Sequence, residues 1–368
     1  MIGMRGPLTQ EIAFQALKDF FREKALVFFG TGMSCAIDER LGMAALAGVL
    51  RAQIPALSLT TGQRLEWSMV EDTLKKGEDL ESAMNKVLDQ SLVEQITIIA
   101  GDFVSSIDHE NSLKIAEGQV EWPAAKLLKV LVDTLPEGDP ILNVITPNYD
   151  LIIEYVCDHV GIPYINGFSG GIERKIDWNA AERCMWIPSQ TVVGRHIQRP
   201  FTRRKHVRLY KVHGSLNYFT YNNKVIENNA WISNPPALAR RIMITPGVSK
   251  YERLQMYRQE LLRQADSAID RENRFLFLGY GFNDNHLEQY IRRKLINQAS
   301  HGLIITRDCN PRILDILRMA PNLWLVCRSI GGSDRQTGIF NMQYSDWLNL
   351  NDILLWNVDE FQKQIIGG

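Results

Sequence analysis

Three short turns, each carrying glycine or asparagine and each directly behind an apolar run, constrain this chain more than any other feature. They are Gly30-Thr31-Gly32-Met33-Ser34, Thr146-Pro147-Asn148-Tyr149-Asp150 and Val212-His213-Gly214-Ser215, behind the runs 25–29, 141–145 and 208–212. Short apolar runs bounded by turn residues read as strands buried on both faces, as in a parallel sheet. The last third repeats the pattern, with strands over 275–278, 303–306 and 323–326 and helices over 251–270, 284–298 and 311–319. Alternating strands and helices predict an α/β fold, a Rossmann-like, doubly wound parallel sheet flanked by helices. In such sheets ligands sit at the carboxyl ends of the strands, where all three turns lie.

Elsewhere the pattern is helical over 10–24 and 42–50, and wholly helical over 65–116, within a helical insertion spanning about 51–122 that lies over the sheet. Pro123 opens a helix reaching Val132, since proline is tolerated in a first turn. A helix over 151–159, ended by Gly161 and Pro163, leads to a strand over 164–168, then an irregular insertion over about 169–207. Residues 217–225 read as a hairpin turning at Asn222-Asn223, and 241–245 as a short strand. Residues 1–330 form one domain on this reading. Residues 331–368 are a C-terminal extension, broken at Gly331-Gly332 and helix-like over 347–366, offering an oligomer or partner contact.

The 368 residues carry a formal net charge of −1, so no overall basic field recruits nucleic acid. The local run Arg195, Arg199, Arg203, Arg204, Lys205, His206 and Arg208 is the exception, either a patch steering DNA, RNA or an acidic partner or a solvated hairpin edge. Cys35, Cys157, Cys184, Cys309 and Cys327 are odd in number and form no C-x-x-C pair. Such spacing argues against a disulfide framework and a thiolate zinc site, and for a reducing, cytoplasmic location. No apolar run approaches the roughly 18 residues of a membrane span.

Each turn has a chemical and a plain structural reading. Gly30, Thr31 and Gly32 allow backbone amides to face a pyrophosphate, with Ser34 as a hydroxyl donor, yet glycine turns also arise from packing. Asn148 suits orienting water or a ribose hydroxyl and Asp150 supporting it, yet both residue types are favoured helix caps. His213 is of the residue type suited to general-base work, or is a satisfied core histidine. Gly279-Tyr280-Gly281-Phe282-Asn283-Asp284 is a further glycine turn between strand and helix, and Thr306 ends the next strand. Together they offer a phosphate cradle, an amide beside a carboxylate, and an imidazole, a set suited to breaking a bond in a dinucleotide.

The ordered segments G-T-G-M-S, T-P-N-Y-D-L-I-I-E-Y, K-V-H-G-S and L-G-Y-G-F-N-D resemble the sirtuin superfamily, most closely its bacterial sirtuin-like branch, over residues 25–330. The resemblance implies an NAD-binding Rossmann-like core, with Gly30, Thr31, Gly32 and Ser34 on the pyrophosphate loop. It implies Asn148 at the nicotinamide ribose with Asp150 beside it, and His213 as the catalytic histidine. Gly279, Asn283 and Thr306 fall on the adenosine side. The paired cysteines of the deacylase zinc ribbon are missing, Cys35-Ala36-Ile37-Asp38 replaces a proline-phenylalanine-arginine segment, and Pro147 stands where deacylases usually have glutamine. No metal is expected.

What the resemblance implies is an NAD glycohydrolase releasing nicotinamide and ADP-ribose, an NAD-depleting effector of bacterial antiphage defence. It would act as a homo-oligomer, with a HerA-type ATPase or helicase as partner. An NAD or ADP-ribose-binding regulatory module and a nucleic-acid-processing component of a defence complex are the alternatives.

Overall fold

The computed structural model describes residues 6–188, 191–193, 196–198, 201–243, 262–283, 285–298 and 300–367. Its centre is a nine-stranded sheet in the order Leu348–Asn351, Gln336–Phe340, Leu323–Arg328, His301–Ile305, Arg274–Leu278, Leu26–Phe29, Ile141–Thr146, His206–Lys211, Tyr164–Ile165. The seven strands from Leu323–Arg328 to Tyr164–Ile165 run parallel, and the two at the other edge are antiparallel. The fold is therefore α/β, with a mostly parallel sheet between helical layers.

Side-chain alternation explains why the strands read as unbroken apolar runs. Val27 and Phe29 join a core on one face with Val144, Leu276, Leu278 and Ile305, under the helices Gln10–Phe20, Ala125–Asp133 and Ile152–His159. Leu26 and Phe28 join the other face with Ile145, Phe275, Phe277 and Ile304, under Arg263–Arg271 and Pro311–Leu317. Both faces are covered, so neither register position is polar.

The first strand pairs with Arg274–Leu278 on one side and Ile141–Thr146 on the other. The order thus reverses around Leu26–Phe29, and a crevice opens beyond its carboxyl end, at the turn carrying Gly30. Helices Met43–Gln53, Thr61–Lys75, Leu80–Met84 and Gln90–Ala116 share a separate core that reaches Leu216 and Met243.

Three expectations are corrected. The stretch 164–168 is not one strand: Tyr164–Ile165 joins the large sheet, and Phe168–Gly170 joins a five-stranded antiparallel sheet. Gly167, at φ +87°, bends the chain between them. The stretch 169–205 is more ordered than its composition suggests, with strand Arg174–Ile176, helix Trp178–Arg183, and the pairs Trp186–Pro188 with Phe201–Arg203 and Thr191–Val193 with His196–Gln198. The tail is not helical from 347. Leu348–Asn351 is a strand, and helix begins only at Val358–Phe361.

Residues 251–261 of the expected helix 251–270, residues 244–245 of the strand 241–245, and Arg195 and Arg199 of the basic run lie outside the described residues. Within that run Arg203 and Arg208 both pair with Glu182, and Lys205 Nζ donates to the Asp133 carbonyl at 2.7 Å. His206 is fully buried, and burial lowers its pKa to about 4.

Candidate active site

The turn after the first strand is shaped by another turn. Gly30 N–H donates to Leu278 O at 2.9 Å, and Gly32 N–H to Gly279 O at 3.1 Å. A Cβ on Gly30 would come 2.3 Å from Gly279 O, and one on Gly279 would come 2.7 Å from Met33 N. Glycine is required at both places because two backbones touch, and Gly279 also holds φ +57°. Trp122 fixes the short helix Thr31–Cys35 from behind, its Nε1 donating to Met33 O at 2.9 Å.

Asn148 bridges to this turn. Its Nδ2 donates to Gly30 O at 3.1 Å and to Ser34 Oγ at 2.8 Å, and its Oδ1 accepts from Thr31 Oγ1 at 3.4 Å. Ser34 Oγ in turn donates to Asp150 Oδ2 at 2.7 Å. Asp150 Oδ1 also accepts from Ile152 N–H at 3.3 Å, so the capping role and a place at the site coexist. Thr146 Oγ1 ties the strand ends together, donating to Phe29 O at 2.8 Å and accepting from Asn148 N–H at 3.1 Å.

A charged layer lies beneath. Lys211, fully buried, donates from Nζ to the carbonyl of Asp150 and to Glu154 Oε1 at 3.1 Å. Asp108, from the long helix Gln90–Ala116, accepts from Leu151 N–H and Tyr155 OH, both at 2.7 Å. Burial pushes the Asp108 carboxyl up to about 7, aided by the charge of Asp150, while the two hydrogen bonds and Lys211 act the other way. Burial likewise raises the pKa of Glu154, offset in part by Lys211.

His213 follows His206–Lys211, and Val212 N–H still bonds to Thr146 O at 3.1 Å, so the imidazole is carried on the extended strand end. The next residue, Gly214, has φ +86°, and a Cβ there would come 2.0 Å from Ile242 O. A non-glycine residue would displace the turn that aims His213.

These loops converge. Gly30, Thr31, Gly32, Asn148, Asp150, His213, Gly279 and Asn283 line one cavity of about 300 Å³. Ser34 is buried behind the wall and reaches it through Asn148 and Asp150. Thr306 lies instead in a second cavity of about 550 Å³, which also takes lining from Gly32 and Gly279. Sequence reasoning missed the lid of the first cavity: Arg40, Leu41, Met43 and Leu46 after the glycine turn, and Glu81, Phe103 and Val104 from the helical insertion. Arg40 is held by Asp38 at 2.7 Å and Glu110 at 2.6 Å. No local motif marks these residues, because only tertiary packing brings them over the strand ends.

A reversed strand order, glycine turns at the reversal and a polar cluster beside them are the features with which open α/β sheets form a ligand crevice. Residues 142–313 match the family model described as the SIR2-like domain, which supports a sirtuin-like family, one that uses NAD as its substrate. The matched stretch carries Asn148, Asp150, His213, Gly279, Asn283 and Thr306, while the turn at Gly30 precedes it. No curated protein matches the chain. Among the described residues no group of three His, Cys, Asp or Glu side chains is arranged to hold a metal ion, and no helix is long and apolar enough to cross a membrane.

Proposed function

We propose that this chain hydrolyses NAD at the nicotinamide–ribose bond, giving nicotinamide and ADP-ribose. The observation that carries the reading is the sharing of one cavity by His213, Asn148 and Asp150 with the glycine turns at 30–32 and 279–281. In the reaction the C1′–N bond breaks with its electron pair passing to the pyridinium nitrogen. Water oxygen bonds to C1′, and His213 takes the proton that water loses.

Asn148 and Asp150 hold the ribose and the water, and the pyrophosphate lies across the glycine turns. General-base help is worth about 10²–10⁴-fold, so positioning and exclusion of solvent must supply the rest. The apolar lid of Leu41, Met43, Leu46, Phe103 and Val104 favours a small acceptor such as water over an acyl-lysine peptide.

The test is release of nicotinamide from NAD by the purified chain, with an acetylated peptide as the competing acceptor. Nicotinamide formed at the same rate with and without peptide supports hydrolysis. Turnover only with peptide, or none with bound NAD, defeats it.

In the cell we assign this activity to a cytoplasmic, NAD-depleting effector of bacterial antiphage defence. It would work as a homo-oligomer beside a HerA-type ATPase, without a zinc ribbon. These assignments rest on the sequence resemblance.

A further inference from the structure

The second cavity takes one wall from the far end of the chain. Trp356 lines it together with Thr306, Arg307, Asp308, Cys35 and Pro123. The tryptophan is set by its neighbours: Leu355 and Val358 are buried on either side, and Phe361 packs 5.9 Å from the ring of Phe21. Asn357 caps the helix Val358–Phe361, accepting from Asp359 N–H at 3.0 Å and Glu360 N–H at 3.2 Å. The backbone on either side of the indole is therefore fixed, and the ring stands at the cavity wall. Its Nε1 is buried with no hydrogen-bond partner among the described residues. An unpaired buried donor is costly, and buried tryptophans ordinarily find an acceptor.

Gly32 and Gly279, whose backbones touch, line both cavities, so the two lie on either side of one pair of glycine turns. A dinucleotide has the same plan, two nucleosides joined by a narrow pyrophosphate. If its reacting half lies beside His213 with the pyrophosphate over the glycine turns, its other half reaches the larger cavity on their far side. A flat base entering there meets a flat ring held at the wall.

We propose that Trp356 is the binding residue for the purine base of the dinucleotide, stacking on it and supplying Nε1–H to an acceptor on the nucleoside. This inference rests on the NAD reading above but makes a claim about the C-terminal tail alone. The tail thereby becomes part of the substrate site.

The experiment uses the full chain, Trp356→Phe and Trp356→Leu, with AMP as the probe of the purine half. AMP should quench tryptophan emission of the parent protein, and Trp356→Phe should lose most of that change while still binding AMP by calorimetry. Trp356→Leu keeps an apolar side chain but no aromatic face. It should weaken AMP by about 5- to 150-fold, the range of a lost base–aromatic stack, and raise KM for NAD by the same factor with kcat little changed. Nicotinamide inhibition should not move.

Equal AMP affinity in Trp356→Leu, or a loss confined to kcat, overturns the inference and leaves NAD hydrolysis standing. Trp356-dependent AMP binding without any nicotinamide release upholds it and removes the hydrolase reading. A parent chain that binds neither AMP nor NAD overturns both.

Discussion

Gly30 and Gly279 touch backbone to backbone, so the first glycine turn has no room for even one methyl group. A Cβ at position 30 would lie 2.3 Å from Gly279 O and 2.5 Å from Tyr280 Cα, and backbone cannot swing aside as a side chain can. Gly30→Ala should therefore separate the two turns, abolish NAD cleavage, and cost about 1–3 kcal/mol as overpacking does. Gly48 lies exposed in the helix Met43–Gln53 with nothing within 4 Å of its Cβ position. Gly48→Ala should raise the melting temperature, by the roughly 0.5–1 kcal/mol of helix propensity. Thermal melts of both variants beside the parent check the contrast.

Asn148 and His213 should fail in different ways. His213→Ala removes an imidazole from the cavity, so kcat should fall about 10²–10⁴-fold with NAD affinity nearly kept. Asn148→Ala removes the donor to Gly30 O and Ser34 Oγ, so affinity should fall along with kcat. Asn148→Asp should be worse than Asn148→Ala in thermal stability, because a carboxylate would face Gly30 O and stand near Asp150. Steady-state nicotinamide release, calorimetry with NAD and melting curves separate the three cases.

The buried carboxyl of Asp108 links stability to pH. Its folded pKa, about 7, lies above the ordinary value of about 3.9, so the folded state binds its proton more tightly than the unfolded chain does. The contribution is complete below about pH 4 and is lost as pH rises toward 7. Asp108→Asn keeps the shape without the titration. Relative to the parent it should therefore gain stability between pH 5 and pH 8, by an amount on the order of a few kcal/mol. Urea unfolding at the two pH values measures it, and a constant difference would show that Asp108 titrates normally.

Arg40 stands at the lid, tied to Asp38 on its own turn and to Glu110 on the long helix. Exposed ion pairs add little to stability. Arg40→Ala should leave the melting temperature near the parent's while lowering kcat/KM for NAD, because the strap between lid and insertion is cut. An unchanged kcat/KM would reduce this pair to surface decoration.

The strand ends were legible because both faces of the sheet are covered. Leu26–Phe29 and Ile141–Thr146 are apolar nearly without interruption, and the turns behind them carry the polar residues. The hairpin turn was legible too, since Asn222 and Asn223 adopt φ +48° and +56°, a conformation asparagine tolerates. The tail misled where it was read as helix from residue 347. The alternation of Leu348 and Leu350 with Asn349 and Asn351 in fact marks a strand. Arg40, Glu81 and Trp356 carry no local signal at all. Their places depend on which surfaces meet after folding, and a one-dimensional pattern does not encode that meeting.

The central position of Leu26–Phe29 has a consequence for biosynthesis. This strand emerges from the ribosome before both of its neighbours, one supplied by residues 141–146 and the other by residues 274–278. Four consecutive apolar side chains must wait unshielded until both neighbours have been made, and pairings so distant along a polymer close slowly. Nascent chains should accordingly lean on cellular holding factors, and a truncated translation product would have no crevice in which to break anything.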